Sequence, residues 1–235
     1  MNPFGRLLLL GVGVSLSNCE KPLQYEPAAM LGVSFAGIPE SDVTLDAVNR
    51  IISVELPPVL DKGLRPAFRL TRNTQVWDGL TKDNTVDLTP YCACNESAGP
   101  RESTIRVAND RSVTAYQLRV KTKGSLKGLP SRDQILFSRQ SERLILTLPV
   151  ENLYGNPRVT DFEFTNLETG QVIRLNTDGT CVTQCRADRL NQLVIDLVYP
   201  RHIDPDFELT PGTYSIRLGS LPNLVSFSQR VVVTE

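Results

Sequence analysis

The sequence predicts an all-β protein built as two tandem β-sandwiches, and three observations carry that reading. Apolar residues recur with period two in short runs, as half-buried strands require. Turn residues separate the runs, and the chain holds 15 glycines and 16 prolines. No window shows an apolar stripe of period 3.6 bounded by caps. A length of 235 residues suits one to two domains.

The strands follow in order. Ile52, Val54 and Leu56 alternate with Ser53 and Glu55, and Pro57-Pro58 ends that run because proline cannot donate to a ladder. Phe68 and Leu70 flank Arg69, and Ile105 and Val107 flank Arg106. Tyr116, Leu118 and Val120 alternate with polar residues, and Asn109-Asp110-Arg111-Ser112 supplies the turn for a hairpin between these last two runs. Asp42 to Ile51 is the nearest approach to a helix, with a helical turn expected at Val43 to Val48. Gly124 to Ser131 (GSLKGLPS) has the composition of a linker. A second set follows: Leu144/Leu146/Leu148, Phe162/Phe164, Val172 to Leu175 after the turn at Glu168-Thr169-Gly170, Leu193/Ile195/Leu197, Tyr214/Ile216/Leu218 and Val231/Val233. The expected division is residues 1–18 as a signal peptide, 19–29 as a tether, 30–123 as the first sandwich, 124–131 as the linker and 132–235 as the second sandwich.

The N-terminus carries an address. Arg6 precedes an apolar stretch from Leu7 to Leu16, too short for a bilayer-spanning helix but suited to a secretory h-region. Leu16-Ser17-Asn18-Cys19 resembles the lipobox of bacterial lipoproteins. The resemblance implies cleavage before Cys19, lipid on its thiol and attachment to a membrane. In that family, Glu20 in place of Asp after the cysteine implies the outer membrane of the cell envelope, in a periplasmic or surface-facing position.

Two further stretches carry a resemblance. Leu209-Thr210-Pro211-Gly212-Thr213-Tyr214-Ser215-Ile216 is similar to a strand opening common in bacterial Ig-like domains of the IPT/TIG type, and Leu148 to Gly155 followed by Val159 to Phe162 fits the same pattern. The first module, with Ile52 to Pro57, Thr85 to Leu88 and Ala115 to Val120, resembles Ig-like or cadherin-like repeats of Bacteroidota surface lipoproteins. The resemblance implies a tandem Ig-like architecture and a role in glycan capture or adhesion.

Four cysteines remain: Cys92, Cys94, Cys181 and Cys185. In an exported protein an even set suggests disulfides, and four cysteines allow three connectivities. The expected pairing is the local Cys181–Cys185 bond, with cross-module bonds and free thiols as the alternatives. The spacing lacks the C-x2-C knuckles of structural zinc sites, so no metal is expected.

Composition limits the chemistry. The net charge of −1 gives no global basic surface for nucleic acid. His202 is the sole histidine, so an imidazole-built metal site is excluded and a Ser-His-Asp triad would depend on this one loop residue. No G-x-S-x-G, Walker or Rossmann glycine pattern is present, and no cofactor is expected. Asp204, Asp206 and Glu208 offer oxygens for calcium but lack EF-hand spacing. Arg65, Arg69 and Arg72 read as a solvated sheet face.

Pyranose rings stack on exposed aromatics. The glycan-stacking candidates are Trp77, set near a loop tip by Asp78-Gly79, with Tyr91 and Tyr154 beside loops; the competing reading packs Trp77 in the core or at a strand edge. The sequence thus leads to a non-catalytic, lipid-anchored envelope protein that binds a glycan or protein partner. The alternatives are a structural spacer or assembly component of an outer-membrane complex and, behind it, a glycan-active enzyme.

Overall fold

The structure is a computed structural model that describes residues 26–92, 103–141, 143–154, 159, 161–177, 183–186, 188–198, 207–220 and 223–235. Its strands form two β-sandwiches in chain order, and the architecture is all-β.

The first sandwich contains β1 (Met30–Phe35), β2 (Val43–Asp46), β3 (Ile51–Leu56), β4 (Pro66–Leu70), β5 (Gln75–Asp78), β6 (Ser103–Ala108) and β7 (Val113–Thr122). One sheet has the order β2-β3-β7-β6-β5, and β1 pairs with β4 in the other. β3 runs parallel to β7, and β6–β7 is the expected hairpin. Asn109 makes its turn: its side-chain oxygen accepts from the N–H groups of Arg111 and Ser112. The in-phase residues Ile52, Val54, Leu56, Ile105, Val107, Tyr116 and Leu118 are all buried. Each such aliphatic side chain contributes roughly 1.5–3 kcal/mol of transfer free energy. Tyr116 keeps its hydroxyl satisfied by accepting from the Met30 N–H at 2.8 Å. The helical turn expected at Val43 to Val48 is instead β2, with half-exposed alternation along a sheet edge, entered from a short 3-10 turn at Glu40–Asp42.

The second sandwich contains β8 (Lys127–Gly128), β9 (Gln134–Ser138), β10 (Arg143–Glu151), β11 (Asp161–Asn166), β12 (Val172–Asn176), β13 (Thr183–Gln184), β14 (Gln192–Val198), β15 (Gly212–Ser220) and β16 (Asn223–Thr234). Its sheets have the orders β13-β14-β10-β8 and β12-β11-β15-β16-β9. The opening strand is split: β8 joins one sheet, and β9 crosses to the other to run parallel with the last strand, β16. This is the Ig-like arrangement of two facing, mainly antiparallel sheets, with β9 as the one parallel addition among the described strands of this sandwich. Leu144, Leu146, Leu148, Leu193, Ile195 and Leu197 from one sheet face Phe162, Phe164, Leu175, Ile216 and Leu218 from the other, all buried. Tyr214, at the start of β15, donates its hydroxyl proton back to the Thr210 carbonyl at 2.8 Å, the corner contact characteristic of Ig-like sandwiches.

Residues 124–131, expected as a linker, are built into the second sandwich. Lys127 and Gly128 pair with Glu151 and Val150, and Leu126 is buried. Gly128 is required for closeness rather than for flexibility: a Cβ there would lie 2.6 Å from the Ser226 carbonyl oxygen.

Candidate functional site

Two places in the fold bring the chemistry-bearing residues into definite positions. One is the junction between the sandwiches, and the other is the sheet edge at β5.

The junction begins where Pro57-Pro58 ends β3. The chain that follows lies against the second sandwich. The Asn152 N–H donates to the Pro58 carbonyl at 2.7 Å. Asn191 brackets the main chain of Leu60: its Oδ1 accepts from the Leu60 N–H at 2.9 Å, and its Nδ2 donates to the Leu60 carbonyl at 2.7 Å. Both asparagines sit at positive φ, 57° for Asn152 and 58° for Asn191, a conformation this residue type tolerates. Leu60 is buried here, as are Leu153 and Tyr154, and the buried apolar residues of both sandwiches form one contiguous cluster.

A covalent bond closes the junction. Cys92, fully buried after the 3-10 turn Thr89–Tyr91, is joined to Cys185, with Cα atoms 5.8 Å apart. This replaces the expected local Cys181–Cys185 pairing. The partners are 93 residues apart in sequence and belong to different sandwiches. Cys94 and Cys181 lie outside the described residues, as does the lipidation candidate Cys19.

Two of the three aromatic candidates belong to the interior. Tyr91 is buried, donating its hydroxyl proton to the Leu118 carbonyl at 2.5 Å and accepting from the Ser103 N–H at 2.8 Å. Tyr154 is buried at the junction; burial raises its phenol pKa, and a hydrogen bond from the Asn191 backbone offsets part of the rise. Neither presents a ring for stacking. Both stand beside loops, as expected, but a tyrosine whose hydroxyl finds a partner is readily enclosed.

Trp77 is the opposite case, with 62% of its surface exposed. Val76 pairs with Val107 and Asp78 with Arg106, so Trp77 is the extra residue of a β-bulge on an edge strand. Bulges re-aim side chains and twist an edge. Two contacts hold the bulge. Arg106 donates to the Asp78 carboxylate at 2.6 Å. Gly79 follows at φ 99°, packed so tightly on β6 that a Cβ would fall 2.2 Å from the Thr104 carbonyl oxygen.

Among the described residues, the remaining candidates are not brought together into a site. His202, Asp204 and Asp206 lie outside the described residues. Glu208 is engaged by the Arg139 guanidinium. Among the described residues, no group of three His, Cys, Asp or Glu side chains is placed to hold a metal. Arg65, Arg69 and Arg72 are exposed, and Arg69 donates to the Leu31 carbonyl.

Sequence reasoning missed the junction asparagines. The available signal was an Asn directly after or before an apolar strand run, in Glu151-Asn152-Leu153 and Leu190-Asn191-Gln192. Such residues punctuate strand ends wherever positive φ is needed.

No protein-family model matches the chain, and no curated protein matches it in sequence. Solved structures similar to it include a chimeric titin Z1Z2 functionalized with a KLER exogenous peptide from decorin, at 13% identity over 88% of this chain and 99% of that one, with a TM-score of 0.25. Titin Ig tandem domains A164-A165 match at 8% identity over 89% of this chain and 99% of that one, with a TM-score of 0.30. Sidekick-1 immunoglobulin domains 1-5 match at 12% identity over 89% of this chain and 39% of that one, with a TM-score of 0.27. At these scores the fold assignment rests on the strand order described above, and no function follows from the likeness.

Proposed function

We propose that the chain is a non-catalytic, lipid-anchored protein of the bacterial cell envelope, of the Bacteroidota surface-lipoprotein kind, whose tandem Ig-like unit binds a glycan. The observation that carries the binding reading is Trp77: a large ring on an edge bulge, open to solvent and held by Asp78, Arg106 and Gly79. The apolar C–H face of a pyranose stacks on such a ring. The Cys92–Cys185 bond supports export, because structural disulfides persist in oxidising compartments.

The course of the chain supports an N-terminal anchor. Residues 26–29 enter the first sandwich beside the β6–β7 turn, where Asn109 donates to the Glu26 carbonyl and the Ala28 N–H donates to Ser112. That is the end opposite the junction, so a lipid on Cys19 would leave the second sandwich as the membrane-distal part.

A glycan array read with the intact protein and with Trp77→Ala tests the binding reading. The expected result is retention of at least one glycan class, weakened about tenfold or more in the variant. Retention by neither protein would remove glycan binding. It would leave the spacer reading, which the bonded junction favours. The anchor has its own test. Cells fed a labelled palmitate analogue should label the wild-type protein and not Cys19→Ala; label surviving the substitution contradicts the anchor.

A further inference from the structure

The edge of the second sandwich carries a groove of about 680 Å³ where β8 gives way to β9. Its origin lies in the split first strand. β8 pairs with β10 only at Val150 and Glu151, and the Leu129 N–H adds one bond to the Pro149 carbonyl. The chain then crosses to the other sheet, where β9 joins β16. β10 continues to Arg143 with β14 on one side. Among the described residues, no strand pairs its other side over 143–148. Main-chain groups alternate between the two sides of a strand, so Thr147 shares with Pro149 the side that faces the crossover.

The groove is lined by Thr147 and Pro149 of this open edge, by Gln134 and Ile135 of β9, and by Gln192 and Gln229. Gln229 is only 4% exposed. Its Nε2 donates to the Thr147 carbonyl at 3.2 Å, engaging an acceptor that a neighbouring strand would otherwise use. That bond fixes which way the amide points and leaves Oε1 buried with no hydrogen-bond partner; Gln192 Oε1 is in the same condition. Two orphaned acceptors in one groove, beside an unpaired strand edge, call for N–H donors.

We propose that this groove receives an extended peptide segment of a partner protein, laid alongside β10 as an added strand, with its main-chain N–H groups donating to Gln192 and Gln229. Strand addition takes affinity from main-chain hydrogen bonds. The protein already uses the same chemistry at the junction, where the Asn191 amide brackets the Leu60 main chain. A peptide fits better than a sugar because, among the described residues, no aromatic ring lines the groove to stack a pyranose face. The proposal rests on the reading of the protein as a binding module.

The test is selection of a phage-displayed random octapeptide library on the full exported chain, repeated on Gln229→Leu and Thr147→Pro. Thr147→Pro removes the edge N–H while leaving the β14 ladder intact, as Pro149 already does on the same edge. Circular dichroism checks that both variants fold. The expected result is enriched peptides that lose affinity about tenfold or more on either substitution and when their own main chain is N-methylated. No enrichment over the Gln229→Leu protein, or binding indifferent to Thr147→Pro and to N-methylation, overturns the proposal. So does a glycan that shifts the Gln192 and Gln229 side-chain resonances when no peptide does. Failure here, with glycan retention still sensitive to Trp77→Ala, removes the groove proposal alone.

Discussion

Replacing both bonded cysteines, in Cys92→Ser/Cys185→Ser, is expected to lower the unfolding free energy by about 3–5 kcal/mol, because the bond closes a loop of 93 residues' separation. For a chain of this size that is a fall in Tm on the order of 10 °C. The change should also alter the shape of the transition. The bond and the Asn191–Leu60 bracket join two units that each possess their own facing sheets. With the bond gone, the Asn191–Leu60 bracket, the Asn152–Pro58 bond and the shared buried cluster are left to couple them. Calorimetry should then resolve two overlapping transitions where the parent shows one. An unchanged Tm and a single transition would mean that the bond contributes little to the junction.

The second large effect is expected at Gly79. Alanine there meets the Thr104 carbonyl oxygen at 2.2 Å and the Ile105 Cα at 2.7 Å, at a φ of 99°. Backbone cannot swing aside as a flexible side chain would. The strain and the overlap together should cost about 2–4 kcal/mol. The expected signature is local: faster hydrogen exchange across β5 and β6, and loss of the contacts that hold Trp77 outward. Gly37 is the control. It has φ 79° and open space within 4 Å of its would-be Cβ, so Gly37→Ala should cost only about 1 kcal/mol. Equal losses at the two positions would show that dihedral strain, not close packing on β6, governs Gly79.

The strands were legible because burial imposes period two. Ile52, Val54 and Leu56, or Leu144, Leu146 and Leu148, name their inward face directly, and the structure buries all six. The Asn109–Ser112 turn was equally readable, since a side-chain oxygen that caps following N–H groups is local chemistry. What could not be read depended on distant chain. Gly128 looked like a linker glycine, but its reason is the Ser226 carbonyl 98 residues away in sequence. Tyr91 looked available beside a loop, but Leu118 and Ser103 enclose its hydroxyl. At the candidate site, the turn residues Asp78-Gly79 suggested a loop tip, but Trp77 lies within the edge strand β5, and its bulge depended on the register with β6. The orphaned oxygens of Gln192 and Gln229 carry no sequence signal at all, because they follow from where β8 leaves β10. The cysteine pairing is the plainest case: spacing favoured Cys181–Cys185, and only the approach of the two sandwiches brings Cys92 to Cys185.

That approach is the centre of the account, and a tryptic map of the unreduced protein tests it most directly. Cleavage at Lys82 and Arg101 releases a peptide, 83–101, that carries Cys92 and Cys94; cleavage at Arg174 and Arg186 releases 175–186, which carries Cys181 and Cys185. The predicted result is one species containing both peptides, which separates into two on reduction. Two unlinked peptides before reduction, with the 175–186 peptide closed on itself, would contradict a covalent junction between the sandwiches.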